Sequence, residues 1–205
     1  MKASVAALLA ISLLGFGPVP STDLLKRAVD PNPELQSYVA SASLAAVLHA
    51  PVPVHKTFVG TAYYQKPKQK IVFDNATGPL SAFKELTEST PSFAEASAEY
   101  AITPLADDGK ASTYRLVPSQ PGRRVKSLTL TVDNGTGLIT RAVWVYTNDG
   151  RLTFDQTYGS VGTFRLPSQE NISARFPGYS VDGVLRLSNY RPNAPVPPAI
   201  FAEKN

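Results

Sequence analysis

Residues 126–158 read KSLTLTVDNGTGLITRAVWVYTNDGRLTFDQTY, and this stretch decides the fold. Leu128, Leu130 and Val132 alternate strictly with Ser127, Thr129 and Thr131, the period of a strand with one apolar face. Asp133-Asn134-Gly135 supplies a hairpin signal, because Asn and Gly tolerate the positive φ angles of a tight reversal. Residues 138–147 form the returning strand, Asn148-Asp149-Gly150 reverses the chain again, and 151–158 run back. The result is a meander of three long strands. One face carries Leu128, Leu130, Val132, Trp144, Tyr146, Phe154 and Tyr158. The other carries Ser127, Thr129, Thr131, Arg141 and Thr153, with Val143 and Val145 as apolar exceptions.

Working outward, residues 98–104 and 112–117 read as two strands around an Asp107-Asp108-Gly109 turn, and beyond Pro167 come a short segment, a Pro177-Gly178 turn and a last strand at 183–190. Toward the N-terminus, Tyr38 to Leu48 alternates as a strand. Its alanines would equally suit a helix, but Pro51 and Pro53 break the chain and another β-pattern follows at Val54 to Tyr64. A Lys66-Pro67-Lys68 turn leads into Ile71-Val72-Phe73. Pro79 to Ser89 has helical spacing, with Leu80, Phe83 and Leu86 on one face. A short helix begins at Asp23 with Thr22 as its cap, and Pro31 ends it. Roughly eight or nine strands thus have only two or three short helices to cover one apolar face, and that face must be buried. For a mainly β (α+β) chain, a strongly curved antiparallel sheet closed by short helices over an apolar hollow satisfies these counts better than a two-sheet sandwich, although periodicity alone favours an ordinary packed core.

The bulk numbers agree with one domain. The chain has 205 residues, 43% of them hydrophobic and 18% charged, with 18 prolines and 13 glycines as turn formers. Residues 1–21 read as a secretory signal: Lys2 gives the positive start, Ala3 to Phe16 the apolar run, and Val19 and Ser21 the small residues of a cleavage site. The domain proper is then 22–205, in the periplasm or cell envelope. The net charge of +4 includes Lys2 and would fall to +3 without it, too mild for a nucleic-acid partner. With no cysteine, disulfides, a thiol nucleophile and the lipid-acceptor cysteine of a bacterial lipoprotein are all excluded.

Catalytic chemistry finds little footing. His49 and His55 are the only histidines and lack an obvious third metal ligand nearby. No nucleophile elbow, phosphate loop or zinc-protease motif occurs. No enzyme activity, catalytic residue, metal or cofactor is expected. Asn75, Asn134 and Asn171 begin glycosylation sequons, each near an expected turn. Lys66, Lys68 and Lys70, and Arg123, Arg124 and Lys126, form two small basic clusters, either solvated turns or docking points for lipid headgroups.

The order of motifs resembles that of lipoprotein-carrier proteins of the LolA type. Tyr38-Val39-Ala40 followed by Phe58-Val59-Gly60-Thr61-Ala62-Tyr63-Tyr64-Gln65-Lys66-Pro67 is similar to the family's opening. Val125 to Asp133, then Leu138-Ile139, Asn148-Asp149-Gly150 and Leu152-Thr153-Phe154, resemble its later strands, and Leu187 to Asn193 with Phe201 its ending. The chain departs from the family in reading Lys68-Gln69-Lys70-Ile71-Val72-Phe73 where an Arg-rich strand is usual, and in its Asn75–Glu88 stretch.

The resemblance implies an unclosed β-barrel with a helical lid, whose apolar interior holds the acyl chains of a lipoprotein or a related lipid. Its partners would be an inner-membrane transporter and an outer-membrane acceptor, and the carrier a monomer. On that footing the ligand-binding candidates are Phe58, Tyr64, Phe73, Leu128, Leu130, Val132, Trp144, Tyr146, Phe154 and Tyr158. The alternative is an envelope sensor or protein-binding module of the same fold, acting through a partner.

Overall fold

A computed structural model describes residues 21–49, 52–76, 85–89 and 93–202. Residues 1–20, all but Ser21 of the expected leader, and residues 77–84, which carry the first half of the expected 79–89 helix, lie outside the described residues.

Eleven strands form one antiparallel sheet: β1 (Ser37–His49), β2 (Val54–Gln65), β3 (Lys68–Phe73), β4 (Glu85–Ser89), β5 (Tyr100–Asp107), β6 (Ala111–Pro118), β7 (Val125–Asp133), β8 (Ile139–Tyr146), β9 (Arg151–Val161), β10 (Phe164–Phe176) and β11 (Tyr179–Pro192). Their order is β4-β3-β2-β1-β11-β10-β9-β8-β7-β6-β5. The sheet does not close on itself, and the architecture is the half-open barrel expected of the sequence. Every neighbouring pair is consecutive in the chain except one: β1 pairs with β11, which joins an N-terminal arm to the long C-terminal meander.

The three strands at 126–158 form where the alternation places them, with Leu128 opposite Trp144 and Ala142 opposite Phe154. Four local readings change. Residues 85–89 are a strand, not the end of a helix: Ile71 pairs with Leu86 and Lys70 with Thr87, so the free edge of β3 captures a segment whose spacing alone suits a helix. A helix, α2 (Phe93–Glu99), follows instead. The segment after Pro167 belongs to a 13-residue strand, β10, which tolerates its proline because the register slips between Pro167 and Gln169. Asn171 consequently sits in mid-strand, not near a turn. Finally, helix α1 (Thr22–Val29) is capped one residue earlier than expected, by Ser21 Oγ accepting from the Asp23 amide.

Two cores lie on one face of the sheet, the inner one. α1 buries Leu24, Leu25 and Ala28, a single helical face, against Tyr114, Leu116, Leu130, Val132 and Ala142 of β6–β8. The Tyr114 hydroxyl donates to the Ser21 carbonyl at 2.6 Å, fixing the helix entry. The other core joins Tyr38, Leu44, Phe58, Phe73, Leu185 and Leu187 across β1–β3 and β11, with Tyr38 stacked on Tyr64 and edge-on to Tyr190, both at 5.1 Å.

At the end of the barrel where β5 turns into β6 and β7 into β8, carboxylates brace the turns. Asp107 accepts from the Gly109 amide and from Asn134 Nδ2; Asp108 from the Lys110 and Ala111 amides; Asp133 from the Thr136 amide and hydroxyl. These bonds favour the charged form and hold all three carboxyls below their ordinary range: Asp107 first through Gly109, Asp108 first through Ala111, Asp133 first through the Thr136 hydroxyl. A depressed carboxyl stabilises the fold at neutral pH and loses that contribution as pH falls from about 4 through the folded-state value. The melting temperature is therefore expected to drop between pH 5 and pH 3, and Asp107→Asn to flatten part of that drop. Thermal melts across this range test it, an identical profile for the variant counting against the brace.

Candidate functional site

Register across the strands sorts the inner face into rows. The row nearest one open end runs Trp144, Leu152, Ala174, Val181, Leu48, Val54 across β8, β9, β10, β11, β1 and β2, and none of these residues is buried. The next runs Ala142, Phe154, Ile172, Gly183, Ala46, Lys56. Here Phe154 meets Trp144 edge-on at 5.2 Å and stands between Ala142 and Ile172, while Leu44 Cδ1 and Ile172 Cβ close over Gly183. The third row places Gln156 and Glu170 beside Leu185, Leu44 and Phe58.

Between the two cores the middle strands thus carry half-buried apolar side chains near the mouth, Trp144 packed against one core and Ala46 and Ile172 against the other, with a polar patch farther in. Glu170 is only 8% exposed and accepts from Gln156 Nε2 at 3.0 Å. The Tyr158 hydroxyl shares its one proton between the Ile139 carbonyl at 2.7 Å and Gln156 Oε1 at 2.8 Å. Tyr190 donates to the Pro167 carbonyl. Burial, then the Glu170 carboxylate, pushes both tyrosines well above the usual phenol range, so both remain neutral donors at any physiological pH.

The ten sequence-derived candidates all lie on this face, in different settings. Phe58 and Phe73 are packed into one core, at 5.6 Å from each other, and Leu130 and Val132 into the other. Tyr64, Leu128, Trp144, Tyr146, Phe154 and Tyr158 are half-buried. Tyr146 stands at the mouth against Phe176, which in turn stacks on Tyr179. Leu48, Leu152, Ile172, Val181 and Glu170 escaped the sequence reading. Leu152 was signalled by its parity with Phe154, but the others lie in segments whose inward positions only the register reveals.

Two grooves open on the described surface. One lies at the mouth beside His49, Asp149 and residues 175–180. The other is lined chiefly by the opposite face, including Ala45, Thr57, Asn171 and Val184, and also touches Ala46, Lys56, Ile172 and Gly183 of the second row. Neither is lined by any of the ten candidates.

The two basic clusters stand at opposite ends of the barrel, since β2 ends where β7 also ends. Lys66 Nζ bonds Asp30 and the Pro33 carbonyl, and Lys70 Nζ bonds the Ile200 carbonyl. Arg123 lies 3.5 Å from Glu99. His49 bonds Asp182 at 2.8 Å. Among the described residues no three metal-ligating side chains converge, and no helix is long and apolar enough to cross a membrane.

No protein-family model and no curated protein sequence matches the chain. Solved structures do. The LolA superfamily protein NE2245 from Nitrosomonas europaea superposes with a TM-score of 0.59 over 91% of this chain and 99% of its own, at 12% identity. An outer membrane lipoprotein-sorting protein domain from Vibrio parahaemolyticus gives 0.59 over 86% of this chain and 94% of its own, at 10% identity. The fold is LolA-like. A DUF1329 family protein from Desulfovibrio piger shares it as well, with a TM-score of 0.55 and 13% identity over 88% of this chain and 95% of its own. The LolA-like fold therefore takes in most of the chain, and at such identities the likeness is one of architecture.

Proposed function

We propose that the chain is an exported carrier that holds acyl chains of lipoproteins, or of related lipids, in a trough between its two cores, and takes part in lipoprotein sorting across the cell envelope. The observation that carries this reading is the half-buried apolar row Trp144, Leu152, Ala174, Val181, Leu48 at the open end of the inner face, beside the two packed cores. Large apolar side chains left half open side by side mark a surface made to be covered by something else. An acyl chain gains about 0.8 kcal/mol for each CH₂ it buries, enough for binding and, over a shallow trough, weak enough for release. The signal-like residues 1–21 and the LolA-like fold agree with an envelope location and with handover between an inner-membrane transporter and an outer-membrane acceptor. The six half-buried candidates are the contacts assigned to the ligand; Phe58, Phe73, Leu130 and Val132 would support them from behind.

Native mass spectrometry on protein purified from its own envelope fraction is the test. A co-purifying acylated species, or stoichiometric uptake of an added long-chain fatty acid, is the expected result; a protein that stays ligand-free under both conditions sinks the carrier reading. Within the trough, Ala46→Phe adds a ring to the second row, beside Gly183 and Lys56. It is expected to weaken fatty-acid binding by about 10-fold through lost volume, with little change in melting temperature because Ala46 is half-buried. Unchanged affinity would place the ligand elsewhere.

A further inference from the structure

The open end toward which the apolar row points has a surface chemistry of its own. It is built from the ends of β1 and β10, the starts of β2, β9 and β11, and the β6–β7 and β8–β9 connections, which the antiparallel register brings to one side: His49 pairs with Ser180, Phe176 with Tyr179, Arg175 with Arg151 and Val125 with Tyr146. Apolar side chains stand out here. Val52 is 75% exposed, Tyr179 50% and Val54 44%, and Tyr179 continues the Phe176–Tyr146 aromatic stack to the rim.

Cations surround them. Lys56, Arg123, Arg124, Lys126, Arg151 and Arg175 lie at this end, against Glu99, Asp149 and Asp182. Glu99 is matched by Arg123, and Asp182 by Arg175, so that among the described residues Lys56, Arg124, Lys126 and Arg151 stand with only Asp149 and, on α2, Glu95. The far end is balanced: Asp30, Glu34, Asp107, Asp108 and Asp133 stand there with Lys66, Lys68, Lys110, Arg165 and Arg191.

We propose that this rim is a docking face for an anionic bilayer surface, on which Val52, Val54 and Tyr179 enter the headgroup region while Lys56, Arg124, Lys126 and Arg151 meet lipid phosphates, setting the mouth of the trough against the membrane. Exposed valines and an amphipathic tyrosine ringed by lysine and arginine form the composition that an interface with an apolar interior and a negative surface recognises. A carrier that loads from a bilayer must pass acyl chains across its mouth without exposing them to water, and a docked rim does this. The docking rests on the carrier reading, and the two are separable by experiment.

Co-flotation of the mature protein with vesicles of phosphatidylglycerol and phosphatidylcholine, against vesicles of phosphatidylcholine alone, is the test. Trp144, the single tryptophan, lies in the row nearest the rim and reports docking by a fluorescence blue shift. Binding is expected to the anionic vesicles, to weaken as salt shortens the reach of the charges, and to fall about 25-fold in Arg124→Gln/Arg151→Gln, about 5-fold for each cation removed. Val52→Asp should cut it about 10-fold or more. Lys66→Gln/Lys68→Gln, at the far end, should leave it unchanged. All three variants alter exposed side chains and should keep the wild-type melting temperature and uptake of monomeric fatty acid. No flotation with either vesicle overturns the docking, as does equal loss in the far-end variant, which would indicate nonspecific charge attraction. Flotation that requires an added envelope protein assigns the rim to a protein partner and overturns it too. Loss of fatty-acid uptake in the wild type, with flotation intact, defeats the carrier reading instead.

Discussion

Trp144→Arg is expected to reduce fatty-acid affinity by at least about 100-fold while shifting the melting temperature by only a few degrees. The indole lies half-buried in the row nearest the mouth, between Leu128 and Leu152 and edge-on to Phe154. In the empty protein an arginine there can extend into water. Once an acyl chain fills the trough, the guanidinium must either block it or lose water beside a hydrocarbon, and an unpaired buried charge costs several kcal/mol. About 2.7 kcal/mol already makes a factor of 100. Phe154 is the less informative target, because Glu170 lies diagonally across from it, beside its partner Ile172, and could neutralise an arginine at that position. Displacement of a fluorescent fatty acid, run beside a thermal melt, gives the answer. Unchanged affinity with a bound ligand still visible by mass would move the ligand off this row.

The largest effect on stability is expected from Gly60→Ala. A Cβ at Gly60 would fall 1.9 Å from the Val72 carbonyl oxygen and 2.7 Å from the Phe73 Cα. Both are backbone atoms of the neighbouring strand, so no rotamer change relieves the overlap. β3 must move away from β2, and with it Phe73, which is fully buried against Phe58. A loss of about 4 kcal/mol or more follows, roughly 10 °C in melting temperature for a domain of this size. Gly183→Ala is the control, because its Cβ would meet Leu44 Cδ1 at 3.3 Å, the end of a flexible side chain that can yield. If both variants melt together near the wild type, the close approach of β2 and β3 is not as described.

How much was legible before the structure depends on where the information resides. The meander at 126–158 was readable because strict alternation and Asn-Gly and Asp-Gly turns are local signals that nothing in the tertiary structure contradicts. β4 was not, because Leu80, Phe83 and Leu86 suit a helix and only the open edge of β3 makes 85–89 a strand. β10 was hidden by Pro167 and the polar run Ser168 to Asn171, whose inward member, Glu170, ends up buried beside Gln156. The face that carries the candidate residues followed from parity alone. The proposed trough did not: it depends on which inward positions are small, such as Ala46, Ala142, Ala174 and Gly183, and on which of them share a row. That is set by pairing β1 with β11, strands some 140 residues apart in sequence, and no pattern within either strand encodes it.

The same pairing constrains how the chain can be delivered. A polypeptide emerging N-terminus first, whether from a ribosome or from a translocation channel, presents β1 to β4 long before their docking edge exists. Strands β5 to β10 can zip together as they appear, each onto the one before. The N-terminal arm can join only when β11 is laid against β10. Until that moment the apolar flank of β1 has no partner on one side, so a chain halted short of residue 179 would carry an adhesive edge, and the cell must either finish it quickly or shield it.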